Sequence, residues 1–89
     1  MTNAIEVRYW AAAKAAAGTA TDQIEVDGPL SLAEVVRRAA ALHAGTRLPD
    51  VLAVCSTMIG EQPVGSQDPN EVEVAPGSTV EFLPPFAGG

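Results

Sequence analysis

Cysteine, histidine and basic residues are all scarce in this 89-residue sequence. A single cysteine excludes an internal disulfide framework and is typical of a reducing compartment. Five Lys and Arg against eleven Asp and Glu give a net charge of −6. This balance argues against nucleic acid as a partner, because binding it requires a basic patch that displaces counterions from phosphates. The same acidity suits docking onto a basic protein surface.

Long hydrophobic runs are also missing. No apolar stretch approaches the roughly 20 residues that cross a bilayer, and the first residues lack the pattern of a signal peptide. We therefore expect a cytoplasmic protein with no membrane contact. The length predicts one small domain with a modest core. Sixteen of the apolar residues are alanines, so the core must come from Val, Ile, Leu and the few aromatic residues.

The chemistry-bearing side chains form no catalytic set. We interpret His43, the only histidine, as structural or solvent-facing near the end of a predicted helix. Cys55 lies in an apolar stretch with no basic cluster to activate it, so we interpret it as a small hydrophobic residue. The spacing of Cys, His and carboxylates predicts no metal site. No glycine-rich loop opens a helix, so we expect no bound nucleotide or other cofactor.

Two kinds of periodicity divide the first half of the chain. Alternation of apolar residues with more polar ones predicts strands at residues 5–10 and 23–27. Between them, Ala11–Ala17 predicts a short helix that ends at Gly18. This helix is too short to be stable alone, so it must pack against the rest of the fold.

The clearest predicted element is a helix that begins after Ser31. Ser31 and Glu34 have the spacing of a capping box, and Gly45 is a plausible end point. An apolar stripe between these points predicts the face that packs on the core. Its members are Leu32, Val35, Val36, Ala39 and Leu42.

The second half of the chain predicts several short strands. Residues 48–55 predict a helical turn that leads into a strand, and residues 56–64 predict a hairpin. Pro and Gly within residues 75–78 predict a type II turn before a last strand at residues 80–83. One well-defined helix against a mixed sheet is an α+β pattern.

The last six residues have no hydrophobic period. We therefore divide the chain into a domain of residues 1–83 and a protruding tail of residues 84–89. Pro84 and Pro85 lack backbone donors and favour extended polyproline geometry. A stiff tail base lowers the cost of ordering the tail when a partner captures it.

The end of the tail is the most informative feature of the sequence. Gly88 and Gly89 lack a Cβ, so their backbone can enter a channel too narrow for side chains. The Gly89 carboxylate is an unhindered electrophile once it is activated. Phe86, followed by Ala87, is predicted to be exposed, and we expect it to anchor the tail in a partner groove. A protein with an activatable terminus and no catalytic set is better interpreted as a carrier than as an enzyme.

Three stretches of the sequence resemble the small subunits of molybdopterin synthase, which are ubiquitin-like sulfur carriers. Residues 7–18 are similar to the opening strand and Ala-rich helix of that family, and residues 32–36 to its main helix. Residues 81–89 are similar to its closing strand and tail, and their Pro-Pro-x-Ala-Gly-Gly ending is the most specific match. Residues 58–61 depart from the family, which often has Asn-Gly in this hairpin.

The resemblance implies a β-grasp fold, in which a mixed sheet and one main helix carry a flexible Gly-Gly tail. It also implies an adenylating enzyme that uses ATP to convert the Gly89 carboxylate to an acyl-adenylate. Sulfur from a persulfide donor then displaces AMP and leaves a thiocarboxylate. The tail enters the large subunit of the synthase, where sulfur passes to cyclic pyranopterin monophosphate. On this basis the chain is no enzyme on its own, and it holds neither cofactor nor metal.

Three alternatives stay open at this point. The chain could carry sulfur for thiamine or cysteine synthesis, which uses the same chemistry at Gly89. It could be a ubiquitin-like modifier that is joined through Gly89 to substrate lysines. It could also be a structural or binding domain whose Gly-Gly ending is coincidental. The mass of the intact protein distinguishes these functions, because each leaves the C-terminus in a different chemical form.

Overall fold

Seven strands and three helices make up residues 3–85, the part of the chain that the computed structural model describes. The strands are β1 (Ala4–Tyr9), β2 (Thr21–Glu25), β3 (Leu30–Ser31), β4 (Ser56–Ile59), β5 (Gln62–Pro63), β6 (Glu73–Val74) and β7 (Thr79–Leu83). The helices are α1 (Ala11–Ala17), α2 (Leu32–Leu42) and α3 (Leu48–Leu52). This order confirms the predicted α+β class.

The main sheet has five strands in the order β2-β1-β7-β4-β5, and β3 pairs with β6 separately. β1 runs parallel to β7, with Val7 opposite Val80 and Tyr9 opposite Phe82. The other strand pairs are antiparallel, so the sheet is mixed as predicted. Two strands from opposite ends of the sequence therefore lie side by side within the sheet.

The core lies between one face of this sheet and α2. In β1 and β7 every second side chain is buried, which is the alternation that the sequence predicted. The buried residues from β1, β7 and α2 are Ile5, Val7, Tyr9, Leu32, Val35, Ala39, Val80 and Phe82. The side chains between them in β1 and β7 lie on the opposite face, called here the outer face.

α2 begins where the sequence predicts. The Ser31 Oγ accepts a hydrogen bond of 3.1 Å from the backbone N–H of Glu34, as expected for an N-cap. The Glu34 side chain does not complete the capping box. Its two carboxylate oxygens instead pair with Arg37 and Arg38, and these hydrogen bonds lower the pKa of the Glu34 carboxyl.

The end of α2 differs from the prediction. The helix stops at Leu42, three residues before the predicted end point Gly45. Leu42, the last member of the predicted stripe, is 56% exposed. It lies in the final turn beside β2, the edge strand of the sheet, so the sheet offers little cover for this side chain.

Two glycines adopt the left-handed conformation that the predicted helix end and the predicted turn require. Gly18 has a φ of 75° and donates its N–H to the Lys14 carbonyl at 2.9 Å, which terminates α1. Gly77 has a φ of 87°, and Ser78 donates its N–H to the Ala75 carbonyl at 3.1 Å. This is the predicted type II turn, and it leads directly into β7.

Candidate functional site

The predicted tail begins where β7 ends. Pro84 and Pro85 follow Leu83 outside any strand, and both are exposed. The other predicted tail residues lie outside the described part of the chain: Phe86, Ala87, Gly88 and Gly89. What the sequence predicts for these four residues therefore stays a prediction.

The base of the tail is held by both neighbours of β7. On one side Leu83 lies opposite Ser56 of β4. On the other side the Trp10 N–H donates to the Phe82 carbonyl at 3.1 Å, immediately after β1. Because hydrogen bonds fix β7 from both sides, the point at which the tail leaves the domain is well defined.

Five side chains share the outer face around this point. Arg8, Glu81 and Met58 lie opposite one another on β1, β7 and β4, while Trp10 and Leu83 lie at the ends of their strands. We call these five residues the tail-base patch. Trp10 is 43% exposed and is the largest side chain of the patch. The patch thus combines apolar surface with two opposite charges, beside the tail.

The Trp10 ring has two partners within the patch. Its indole N–H donates to Glu81 Oε2 at 2.9 Å. The Arg8 guanidinium lies 5.6 Å from the ring centroid, within the range of a cation–π contact. Ala11 follows with a φ of 50°, a left-handed conformation that is unfavourable for a residue with a Cβ. The chain therefore turns sharply into α1 directly after Trp10.

The predicted alternation over residues 5–10 placed Trp10 on the same side of the first strand as Glu6 and Arg8 but gave it no role. A signal was present, because an aromatic residue follows Glu6 and Arg8 in an outward series that is otherwise charged. The contact with Glu81 has no local signal, since the two residues are 71 positions apart.

His43 has the structural role that the sequence predicted. Its Nε2 lies 2.6 Å from Asp22 Oδ2, and the Tyr9 hydroxyl donates to the same oxygen at 2.9 Å. The His43 ring also packs edge-on against Tyr9, with 5.9 Å between the ring centroids. The three side chains connect the end of α2 to β1 and β2. Asp22 was not singled out from the sequence.

The environment of Tyr9 predicts an alkaline loss of stability. Burial, and then the hydrogen bond and charge of Asp22, raise the pKa of Tyr9 well above its usual range. The unfolded chain therefore loses the tyrosine proton at a lower pH than the folded protein does. Below about pH 10 the contribution is fully present, and above it the free energy of unfolding should fall by at most about 1.4 kcal/mol per pH unit.

Chemical unfolding as a function of pH checks this expectation, with Tyr9→Phe as the matched variant. Tyr9 is the only tyrosine, so the phenylalanine variant removes the entire tyrosine contribution. Any effect of Cys55 is common to both proteins and cancels in the difference. An equal loss of stability in both proteins above pH 10 would contradict the assignment to Tyr9.

Cys55 lines an apolar cleft of about 560 Å³ between α2, α3 and β4. Burial raises the pKa of its thiol, which disfavours the reactive thiolate. The prediction of a small hydrophobic residue, rather than a nucleophile, agrees with this environment.

Two further findings apply to residues 3–85 alone. Over this range no group of three or more His, Cys, Asp and Glu side chains is placed to hold a metal ion. None of the three described helices has the length and apolar character to cross a membrane. The predicted cytoplasmic location and the expected lack of a bound cofactor stay predictions.

A protein-family model and several solved structures resemble this chain. The model, described as the ThiS family, matches residues 7–89, a range that includes the tail-base patch and the predicted tail. No curated protein matches the chain.

The similar solved structures include two single proteins and one complex. Small archaeal modifier protein 1 from Methanosarcina acetivorans is 16% identical with a TM-score of 0.75, covering 100% of this chain and 99% of its own. Urm1 from Trypanosoma brucei is 19% identical with a TM-score of 0.74, covering 99% and 97%. A chain in the complex of subunits 1 and 2 of the molybdopterin-converting factor from Helicobacter pylori 26695 is 23% identical with a TM-score of 0.63, covering 97% and 99%. These likenesses confirm the predicted ubiquitin-like β-grasp fold.

Proposed function

This chain belongs to the ThiS family, and from that premise we propose that it carries sulfur as a thiocarboxylate on Gly89. The observation that carries the proposal is the extent of the family match, which runs to the final Gly-Gly pair. The geometry supports it as well, because the hydrogen-bonded strand β7 leads into the exposed Pro84 and Pro85. The folded domain then serves to present the reactive C-terminus to partner proteins.

The proposed loading reaction uses groups that partner proteins supply. An adenylating enzyme joins the Gly89 carboxylate to AMP at the expense of ATP. A persulfide sulfur attacks this acyl-adenylate, so that a C–S bond forms while the C–O bond to AMP breaks. A second thiol reduces the resulting acyl disulfide, which leaves a thiocarboxylate on Gly89 and a disulfide on the donor. The contribution of this chain is to present the carboxylate.

We propose cyclic pyranopterin monophosphate as the sulfur acceptor, bound to the large subunit of molybdopterin synthase. The support is the ending Pro-Pro-Phe-Ala-Gly-Gly, together with a shared fold with the molybdopterin-converting factor complex. The thiocarboxylate supplies a soft sulfur nucleophile for attack on the acceptor, whereas water supplies only oxygen. In this role the chain is the sulfur-donating subunit of a sulfurtransferase, and the large subunit provides the acid–base groups.

The tail-base patch is the proposed docking face for these partners. Its apolar members Trp10, Met58 and Leu83 adjoin the tail, so a partner that binds the tail also meets this surface. Two carboxylates, Glu6 and Glu81, and one guanidinium, Arg8, lie on the same face, and this excess of negative charge suits a partner with basic residues at its rim.

A protein modifier is the second candidate function. Small archaeal modifier protein 1 shares the fold at a TM-score of 0.75, and its name supplies the specific support. In that case a lysine amine of a substrate attacks the activated Gly89 carbonyl and an isopeptide bond forms. Sulfur delivery to thiamine or cysteine synthesis is a third possibility that shares the loading step.

Intact-mass measurement tests the proposal. The chain is purified from its native host, and the C-terminal peptide and any co-purified protein are identified by mass spectrometry. The expected result is sulfur in place of one oxygen at Gly89, with transfer to cyclic pyranopterin monophosphate when the large subunit is added. A ladder of lysine conjugates would support the modifier function instead. An unaltered terminus after incubation with adenylating enzyme, ATP and persulfide donor would refute sulfur carriage.

Phe86→Ala is expected to weaken the complex with the large subunit by at least tenfold. Burying an aromatic side chain contributes about 1.5–3 kcal/mol, and about 1.4 kcal/mol corresponds to a factor of ten. Leu42→Ala is the matched control, because Leu42 is an exposed apolar residue of the helix that covers the other face of the sheet. Calorimetric titration gives both affinities. Equal affinities for the two variants would remove Phe86 as the anchor.

A further inference from the structure

Trp10, Arg8 and Glu81 form a unit that the proposed chemistry does not require. Arg8 and Glu81 are directly opposite each other on the parallel strands β1 and β7. Both contact the same ring, Arg8 through its guanidinium at 5.6 Å and Glu81 through the 2.9 Å hydrogen bond from the indole. The ring itself is 43% exposed. A large apolar side chain on the outer face is therefore held in one orientation by two neighbours.

We propose that Arg8 and Glu81 are positioning residues, which preset the Trp10 ring as an anchor for the large synthase subunit, at a pocket that is apolar and offers no acceptor to the indole. This inference rests on the proposed function in one respect, namely that the tail-base patch faces the large subunit. It adds the chemistry of the pocket and the residues that prepare the chain for it.

The character of the pocket follows from the hydrogen bond. An indole has one donor and no acceptor, and Glu81 already accepts from that donor. An acceptor in the partner pocket would stay unpaired on binding, and a buried unpaired polar group is costly. The complementary surface is therefore apolar where it meets the ring.

The benefit of the unit is preorganisation. An aromatic side chain that is mobile in the free protein must be ordered when it binds, and this ordering reduces affinity. Here the ordering is complete before the partner arrives, because the backbone of β1 and β7 places Arg8 and Glu81 beside the ring. Aromatic residues at the centre of an interface are frequent hot spots, so the orientation of this ring affects the whole complex.

The positioning role is tested on the isolated protein by fluorescence. Trp10 is the only tryptophan, so emission anisotropy and acrylamide quenching report on this ring alone. We expect Glu81→Ala and Arg8→Ala to lower the anisotropy and increase quenching. Glu81→Gln should behave like the wild type, because its amide oxygen still accepts the hydrogen bond. Glu25→Ala, which removes a carboxylate from β2, is the control and should change nothing.

The partner pocket is tested by affinity for the purified large subunit. Glu81→Ala should weaken binding about tenfold, since it leaves a buried donor without an acceptor. In the Glu81→Ala protein, Trp10→Phe should then restore part of the affinity, because phenylalanine has no donor to satisfy. In the wild-type background the same Trp10→Phe substitution should weaken binding. A change in affinity on Trp10→Phe that is opposite in the two backgrounds would indicate a pocket without an acceptor.

The fluorescence and affinity measurements test the positioning role and the pocket separately. Unchanged anisotropy and quenching in both Glu81→Ala and Arg8→Ala would overturn the positioning role whatever the affinities are. Weaker binding on Trp10→Phe in both backgrounds would show that the partner supplies its own acceptor, and the pocket assignment would be wrong. If the wild-type chain did not bind the large subunit, the pocket and the proposed sulfur acceptor would both be wrong, while the mass of the C-terminus would still decide sulfur carriage and fluorescence the role of Arg8 and Glu81.

Discussion

Removing Gly89 should leave a folded protein that acquires no sulfur. The proposed reaction takes place on the carboxylate of this residue, and its backbone must reach the nucleotide in the adenylating enzyme. Without Gly89 the new terminal carboxylate lies one residue short, by about 3.3–3.6 Å of extended chain. A displacement of that size is large compared with the precision that catalysis requires. Adding one residue after Gly89 should have the same effect for the opposite reason.

The fold should tolerate both changes. Within residues 3–85 the last fully buried side chain is Phe82 and the last strand ends at Leu83, whereas Pro84 and Pro85 are exposed. Thiocarboxylate formation is followed by mass spectrometry, and urea unfolding is measured on the same samples. We expect unfolding midpoints equal to that of the wild type together with no detectable sulfur. Normal sulfur loading of either variant would exclude Gly89 as the reactive residue.

Phe82→Ala should destabilise the domain severely. Phe82 is completely buried in β7, and its ring stacks on Tyr9 with 6.2 Å between the centroids and 16° between the planes. Truncating a buried phenylalanine typically costs about 3–5 kcal/mol, of a total stability that is only about 5–15 kcal/mol in most proteins. For a domain of this size, a substantial unfolded population is expected at ambient temperature.

The adjacent residue provides the matched control for this variant. Leu83 is half-buried on the outer face, so Leu83→Ala removes an apolar side chain from the same strand without opening a cavity in the core. Denaturant unfolding of both variants measures the difference, and Phe82→Leu supplies a milder core variant if the alanine protein does not fold. A loss below about 1 kcal/mol for Phe82→Ala would mean that the core repacks around the missing ring.

Much of the fold could be predicted because its determinants are local. The end of α1 at Gly18 and the turn around Gly77 depend on conformations that favour glycine. Both can therefore be predicted from a few neighbouring residues. The alternation that places Val80 and Phe82 in the core is a property of one short strand. The start of α2 at Ser31 is equally local, since the cap involves a residue only three positions away.

The features that escaped prediction depend on distant residues or on geometry at an edge. The contact of Trp10 with Glu81 requires the parallel pairing of β1 and β7, which no sequence pattern specifies. The link from Asp22 to His43 spans 21 residues and depends on where α2 ends. The exposure of Leu42 follows from the width of the sheet, so helical periodicity could not reveal it.

The side-by-side placement of β1 and β7 affects how the protein can fold during its synthesis. β1 cannot pair with β7 until the end of the chain is present, because the pairing joins residues more than 70 positions apart. The hydrogen bond from the Thr79 hydroxyl to the Glu6 carboxylate is one such contact. Pairing strands so distant in sequence closes a long loop, and the entropy lost in closing it slows folding. A nascent chain interrupted before β7 lacks the strand that pairs with β1 and contributes Val80 and Phe82 to the core. We therefore expect such a fragment to stay unfolded and open to proteolysis.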